Sequence, residues 1–372
     1  MKKKIATLLV GSLLLAGVLA GCSANASKTE DSVDTAVANA TNTSKEVVEK
    51  KSENTEEKTE EKAEEDSTLN QAKVIHVAYQ GSDAYTWLEK RYHWLEDEFK
   101  EDGIEVQFEQ FLSGPPMIEA MTSDSIDFGN IGDMPPINAR GNGVDVKIIV
   151  KTINTPFSNA LVVPNGSDVK QVSDLKGKQV ATQLGSSGHH FIALLLDQAG
   201  LSLEDIDLVN MSGPDMVNAI AANQVDAVVT WEPYGSQVVN QGTGSILTDS
   251  TGIKQNTGTW ITRNAFAKEN PEITARFIKV WLKYLDLIAE DREAALEVIS
   301  EESGYAKEDI QRTILEGLLV PEFTDYDYEQ EQLTKDFLVE TGTLLNDYDI
   351  NDLYDFSYLE RAKELYEADK NQ

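Results

Sequence analysis

The sequence is short of cysteine, of positive charge and of histidine. Its single cysteine is Cys22, so no disulfide can form within the chain and the fold rests on its core alone. Its 32 lysines and arginines are outnumbered by 64 aspartates and glutamates, a net charge of -32. A surface of that sign repels nucleic acid and anionic headgroups, which sets nucleic-acid binding aside. Four histidines are scattered except for the pair His189–His190, and neighbours on a helix do not share a face, so no metal site is expected. The chain carries no CxxC, HExxH, GxSxG or P-loop pattern, and no pair of carboxylates is marked for acid–base work. No internal repeat is found either.

What is present begins with a contrast along the chain. Three lysines within residues 1–4 precede an apolar run at 5–20, too short for a membrane span of about 20 residues. A basic start, a short apolar stretch and small residues read as a secretory signal over residues 1–21. Leu19-Ala20-Gly21-Cys22 resembles a bacterial lipobox, in which Cys22 becomes the acylated first residue of the mature chain. Two acyl chains suffice for stable anchoring. Residues 22–72 hold that cysteine and a Ser-, Thr-, Glu- and Lys-rich stretch without aromatic residues, expected as a disordered acidic tether.

From residue 73 strands alternate with helices. Strand patterns at 74–79, 105–111, 126–129 and 145–153 are interleaved with helical spacing at 87–101 and 115–121. The rhythm resumes at 160–163 and 179–182, a helix at 191–199, then 206–210, a helix at 215–222 and 225–230. Residues 257–262 read as a returning strand, and helices fill 271–289, 292–302, 307–316, 329–341 and 358–368. The expected fold class is α/β: two lobes, with residues 73–155 starting lobe 1, 156–256 forming lobe 2, and 257–372 returning to lobe 1 before the C-terminal helices. Ligands in such sheets sit at strand carboxyl ends, near helix N-termini.

Four turns occupy such places. Gly185-Ser186-Ser187-Gly188-His189-His190 lies between a strand and a helix, where glycines allow close backbone approach and free first-turn amides attract an anion. An ordinary Ser-capped turn has the same spacing. Ser113-Gly114-Pro115-Pro116 and Asp133-Met134-Pro135-Pro136 share this form, the second being equally an Asp N-cap. Trp231-Glu232-Pro233-Tyr234 ends a strand and could face an apolar body with an amine.

Residues 113–143 (SGPPMIEAMTSDSIDFGNIGDMPPINARGNG), DLKGK at 174–178 with GSSGHH at 185–190, and QVDA at 224–227 with WEPY at 231–234 resemble the nitrate/sulfonate/taurine (NMT1/THI5-like) substrate-binding proteins. The likeness runs over most of residues 73–321. It implies a type II periplasmic-binding-protein fold and a role as the extracytoplasmic, lipid-anchored solute-binding subunit of an ABC importer. The implied ligand is an aliphatic sulfonate or taurine; nitrate, bicarbonate and a thiamine-type pyrimidine are the alternatives. The implied partners are a permease and its ATPase, with the binding protein itself a monomer. Carried over by position, the ligand is expected among Gln80, Ser113, Gly132, Asp133, Asn154, Gly185, Ser186, Ser187, His189, Trp231 and Glu232, with Trp231 on the carbon chain and Glu232 near an amine. Pyrimidine-synthase-like relatives share the fold and use a lysine-bound cofactor. No cysteine cluster or cofactor lysine stands out here, so neither catalysis nor a cofactor is expected. The acidity leaves a cation caged by Trp87, Trp231 and tyrosines as the dissenting possibility.

Overall fold

The computed structural model describes residues 70–371; the signal, Cys22 and nearly all of the tether lie outside the described residues. The strands are β1 Val74–Gln80, β2 Glu105–Phe111, β3 Phe128–Ile131, β4 Val146–Thr155, β5 Asn159–Pro164, β6 Gln179–Thr182, β7 Asp207–Asn210, β8 Ala227–Trp231, β9 Gly244–Asp249 and β10 Asn256–Arg263. The helices are α1 Ala84–Tyr92, α2 Trp94–Lys100, α3 Gly114–Thr122, α4 Met134–Gly141, α5 Ser187–Gln198, α6 Gly213–Ala221 and α7 Tyr234–Asn240. Then follow α8 Asn264–Glu269, α9 Pro271–Glu290, α10 Arg292–Ser303, α11 Lys307–Glu316, α12 Asp325–Glu340 and α13 Ser357–Lys370.

The strands make two five-stranded sheets, ordered β2-β1-β3-β10-β4 and β7-β6-β8-β5-β9. In the first, β2, β1 and β3 run parallel, and β10 is antiparallel to both of its neighbours. In the second, β7, β6 and β8 are parallel, and β5 is antiparallel to β8 and β9. The chain leaves the first sheet after β4 and comes back to it at β10. The two crossing ends are themselves paired, Thr155 opposite Asn256 and Asn154 opposite Thr257.

Alternation along each strand sends side chains to opposite faces, and both faces of both sheets are covered. Ile149 packs with Phe128, Phe277 and Trp281, whereas Ile148 packs with Met117, Met134 and Leu353. In the second sheet Val162 and Val228 join Met216 and Ile220, whereas Leu161 and Val229 join Phe191 and Leu195. No apolar cluster among the described residues takes members from both sheets, so each lobe has its own core.

Local physics shifts some expected boundaries. The helix expected at 87–101 is two helices, because His93 sits in the left-handed region at φ 54° and ends α1 by donating its amide to Glu89 O. The Glu89 carboxylate then accepts the amides of Leu95 and Glu96 and starts α2. Helix α5 begins at Ser187, four residues before the expected start at 191, which puts Ser187 and Gly188 inside its first turn. Helix α7 and strand β9 had no sequence expectation, because Gly and Asn/Gln around them mask their short apolar patterns.

Candidate functional site

A cavity of about 120 Å³ opens between the lobes at the carboxyl ends of the strands. Five helices start at its wall: α1 at Ala84, α3 at Gly114, α4 beside Pro135, α5 at Ser187 and α7 beside Pro233. Each N-terminus brings amides without intrahelical acceptors and a partial positive charge. They are not equivalent. Asp83 caps α1 by accepting the Tyr85 amide at 3.1 Å. Glu232 does the same for α7 through the Ser236 amide at 3.1 Å. In α3 and α4 prolines fill the second and third positions, so each offers one first-turn amide instead of three. Helix α5, without a side-chain bond from its N-cap Ser186 and free of proline, keeps the adjacent amides of Ser187 and Gly188 for a ligand, whereas the free Tyr234 and Gly235 amides of α7 lie beside the Glu232 carboxylate.

The ground around that terminus suits an anion. Ser187 Oγ accepts from Asn159 Nδ2 at 3.2 Å, so its own proton is available to a third group. Opposite it stands Gly132, where an added methyl would lie 3.9 Å from both Ser187 Oγ and Asn256 Oδ1, with nothing closer. Three surfaces therefore face one small empty volume. Asn256 Nδ2 donates to Ser158 Oγ at 3.0 Å, and its Oδ1 is buried and unpaired. Gly185 takes φ 78°, a left-handed turn that a side chain would strain, and this bends the chain from β6 into α5.

Of the eleven residues expected around the ligand, six line this cavity: Gln80, Gly132, Ser186, Ser187, Trp231 and Glu232. Five do not. Asp133 faces away, into a buried ion pair with Lys254 and a 3.3 Å bond from Thr334 Oγ1. Asn154 donates to Asp327 at 2.9 Å behind the cleft. Ser113 is the buried N-cap residue of α3 without a side-chain cap bond. Gly185 shapes the turn. His189 packs edge-on against Phe337 at 5.7 Å, and its Nδ1 accepts the Gly185 amide at 3.4 Å. Burial holds His189 below the usual histidine range, and pushes the neighbouring His190 down to about 2, so both rings are neutral.

Sequence reasoning missed Asp83, Ser158 and Asn256, and the wall built by α10, α11 and the turn between them through Ile299, Tyr305, Ile310 and Ile314. Asp83, three residues beyond a strand and just before a helix, was legible as an N-cap. The others reach the cavity only through tertiary packing. Neither lysine, arginine, histidine nor cysteine is among the lining residues. Its two carboxylates are both raised by burial, Asp83 to about 6.

A two-lobed α/β chain with an uncapped helix N-terminus at its cleft can be set beside known proteins. Residues 98–295 match the family model described as NMT1/THI5 like. The chain belongs to the NMT1/THI5-like family. It is 29% identical over 304 residues to a putative aliphatic sulfonates-binding protein of Bacillus subtilis, covering 81% of this chain and 92% of that protein. A putative aliphatic sulfonates-binding protein of Escherichia coli is 30% identical, over 62% of this chain and 72% of its own length. Among solved structures, the alkanesulfonate-binding protein SsuA from Xanthomonas axonopodis pv. citri bound to MOPS superposes with a TM-score of 0.70 at 25% identity. It covers 77% of this chain and 99% of its own. The family member described here thus shares the two-lobed fold of periplasmic binding proteins.

Proposed function

We propose that this NMT1/THI5-like protein is the extracytoplasmic solute-binding subunit of an ABC importer, and that it captures an aliphatic sulfonate or taurine by lobe closure. The observation that carries the reading is the uncapped N-terminus of α5 facing Gly132 across an empty volume. The Ser187 and Gly188 amides and the Ser187 hydroxyl supply neutral donors to a sulfonate head. Ser158 can donate as well as accept, so the Asn256 amide can turn its NH₂ toward an arriving anion without losing its partner. Trp231, 9% exposed, and the isoleucines of α10 and α11 offer an apolar surface to the carbon chain. A lysine-bound cofactor has no lysine to join in this cavity, which favours binding without catalysis.

The remaining features of the reading concern place and partners. The lipobox-like segment supports acylation of Cys22, which would hold the protein at the membrane beside its permease. Mass spectrometry of the mature N-terminus tests this, and an unmodified terminus elsewhere excludes it. The lobes are taken as residues 73–155 with 257–372, and 156–256, joined at the paired crossings. Thermal-shift screening over alkanesulfonates, taurine, nitrate, bicarbonate, pyrimidines and quaternary amines tests the ligand class, because a ligand that binds only the folded state raises its stability. Stabilisation by sulfonates supports the reading; stabilisation by quaternary amines alone replaces it with an aromatic cage.

A further inference from the structure

The cavity continues past Asp83 into an inner chamber of about 50 Å³, and Ser82, Asp83, Ala84, Asn130 and Ile153 border both spaces. Ala84, Ile153, Ile288, Ile314 and Leu319 form the apolar part of the inner chamber's wall, and Tyr85, Thr152 and Thr313 join Ser82, Asp83 and Asn130 in the polar part. Two of these polar groups have hydrogen-bonding capacity left over. Thr152 is 1% exposed and its Oγ1 has no partner. Asp83 is 6% exposed and lies where the two spaces join. Its Oδ1 accepts from the Tyr85 amide and from Asn130 Nδ2, both at 3.1 Å, and its Oδ2 accepts from Thr86 Oγ1 at 2.6 Å. A carboxylate has about four acceptor sites, so one is left.

We infer that Asp83 and the inner chamber read the far end of the ligand, and that the preferred ligand is an aminoalkanesulfonate whose ammonium group pairs with Asp83. The inference rests on the sulfonate head lying at α5. No basic side chain lines either chamber, so a cation carried by the ligand is the partner that would offset an ionised Asp83 there. An ammonium group brings three donors, enough for the open site on Asp83 and for Thr152 Oγ1. An unsubstituted alkyl tail brings none and leaves the open acceptor site on Asp83 and Thr152 Oγ1 without a donor. The spacing also fits. Asn130, bonded to Asp83, and Gly132, at the head-group seat, are two residues apart on extended chain, about 7 Å. A tail of two or three carbons spans that distance once a hydrogen bond is counted at either end, whereas nitrate or bicarbonate touches one end only.

The test is calorimetry on the purified protein with matched pairs: 2-aminoethanesulfonate against ethanesulfonate, and 3-aminopropanesulfonate against propanesulfonate. The wild type is expected to bind the amine of each pair about tenfold or more tightly, and Asp83→Asn to collapse that ratio to near one. Equal affinities within each pair on the wild type, or an amine preference that survives Asp83→Asn, overturn the inference while leaving the head-group reading intact. Failure of all four to bind the wild type overturns the head-group reading and this inference with it. Should Asp83→Asn not fold, Thr152→Val, which exchanges a hydroxyl for a methyl of similar size, must lower the amine preference several-fold. An unchanged preference in that variant overturns the inference equally.

Discussion

At the scale of single residues, the site is defined more by what is missing than by charge. Gly132 is in no left-handed conformation, and a methyl there meets nothing within 3.9 Å. Gly132→Ala is therefore expected to keep the fold and its melting temperature while blocking the ligand seat, with affinity falling at least about tenfold by calorimetry. Ser187→Ala removes one donor to a buried anion and should cost about 1–3 kcal/mol of binding, with mild salt dependence because no mobile charges dominate. His189→Ala should change affinity little, since His189 leans on Phe337 and does not line the cavity. An equal loss in both variants would place the head group elsewhere. Asp83 adds a pH signature. Burial lifts its carboxyl from 3.8 in the unfolded chain to about 6, against the bonds from Thr86 and Tyr85 that favour ionisation. The folded state then holds a proton that the unfolded state has lost. Its contribution to stability is present below about pH 4 and lost as pH rises through about 6. Arg292 and the Tyr85 phenol are the other titratable groups coupled to this region. Subtracting the Asp83→Asn melting curve series from that of the wild type isolates the effect; a flat difference between pH 4 and 7 would refute it.

At the scale of elements, α12 is unusual in burying a polar face. Asp327, Glu331 and Thr334 are fully buried, and Lys335 is nearly so. Asp327 binds Lys151 at 2.7 Å, Asn154 at 2.9 Å and Gln255 Nε2 at 2.6 Å, so one carboxylate fastens both crossing segments. Burial raises its pKa, but the bonds from Lys151 and Thr324 outweigh this and hold it below the ordinary aspartate range. Farther along, Thr334 Oγ1 lies 3.2 Å from His190 Nδ1, and Phe337 stacks on the His190 ring at 4.7 Å. The helix therefore touches the first lobe, the crossings and α5 at once. Asp327→Ala strands Lys151, 2% exposed, and is expected to cost about 3–5 kcal/mol in urea unfolding. Glu331 behaves differently. Burial, with Asp133 nearby, pushes its carboxyl well above the usual range, and both oxygens are unpaired. Glu331→Gln should thus leave stability at neutral pH nearly unchanged, whereas a loss like that of Asp327→Ala would mean the carboxylate is ionised and paired.

At the scale of the whole molecule, two separate cores joined by two paired strands allow one lobe to rotate against the other at little cost in core packing. The second lobe also meets the C-terminal helices, where Arg312 pairs with Asp249 at 2.9 Å and Asn240 Nδ2 donates to Asp309 at 2.9 Å. Small-angle scattering with and without a saturating aminoalkanesulfonate is expected to show a smaller radius of gyration when bound; no change at saturation counts against closure. The net charge of -32 does not prevent anion capture. Charges farther away than about 8 Å are largely screened at physiological salt, and the local donors of α5 decide.

The sequence by itself determined the α/β class and the strand–helix rhythm, and it pointed to the loop at 185–190, which an ordinary Ser-capped turn would match equally. Those depend on local periodicity and on Gly, Ser and Pro at turns, whose preferences act within a few residues. It also marked Gln80, Gly132, Ser186, Ser187, Trp231 and Glu232, all at strand ends where such a fold opens its cleft. It could not separate Ser187 from His189, or Gly132 from Asp133. Each pair sits within two residues, and only packing decides which side chain faces the cavity and which faces α12. The C-terminal helices were readable as helices but not as a cavity wall, because Tyr305 and Ile314 reach β1 and β4 across more than 150 residues of intervening chain. The inner chamber and the place of Asp83 between it and the cleft exist only once those distant segments close around one another.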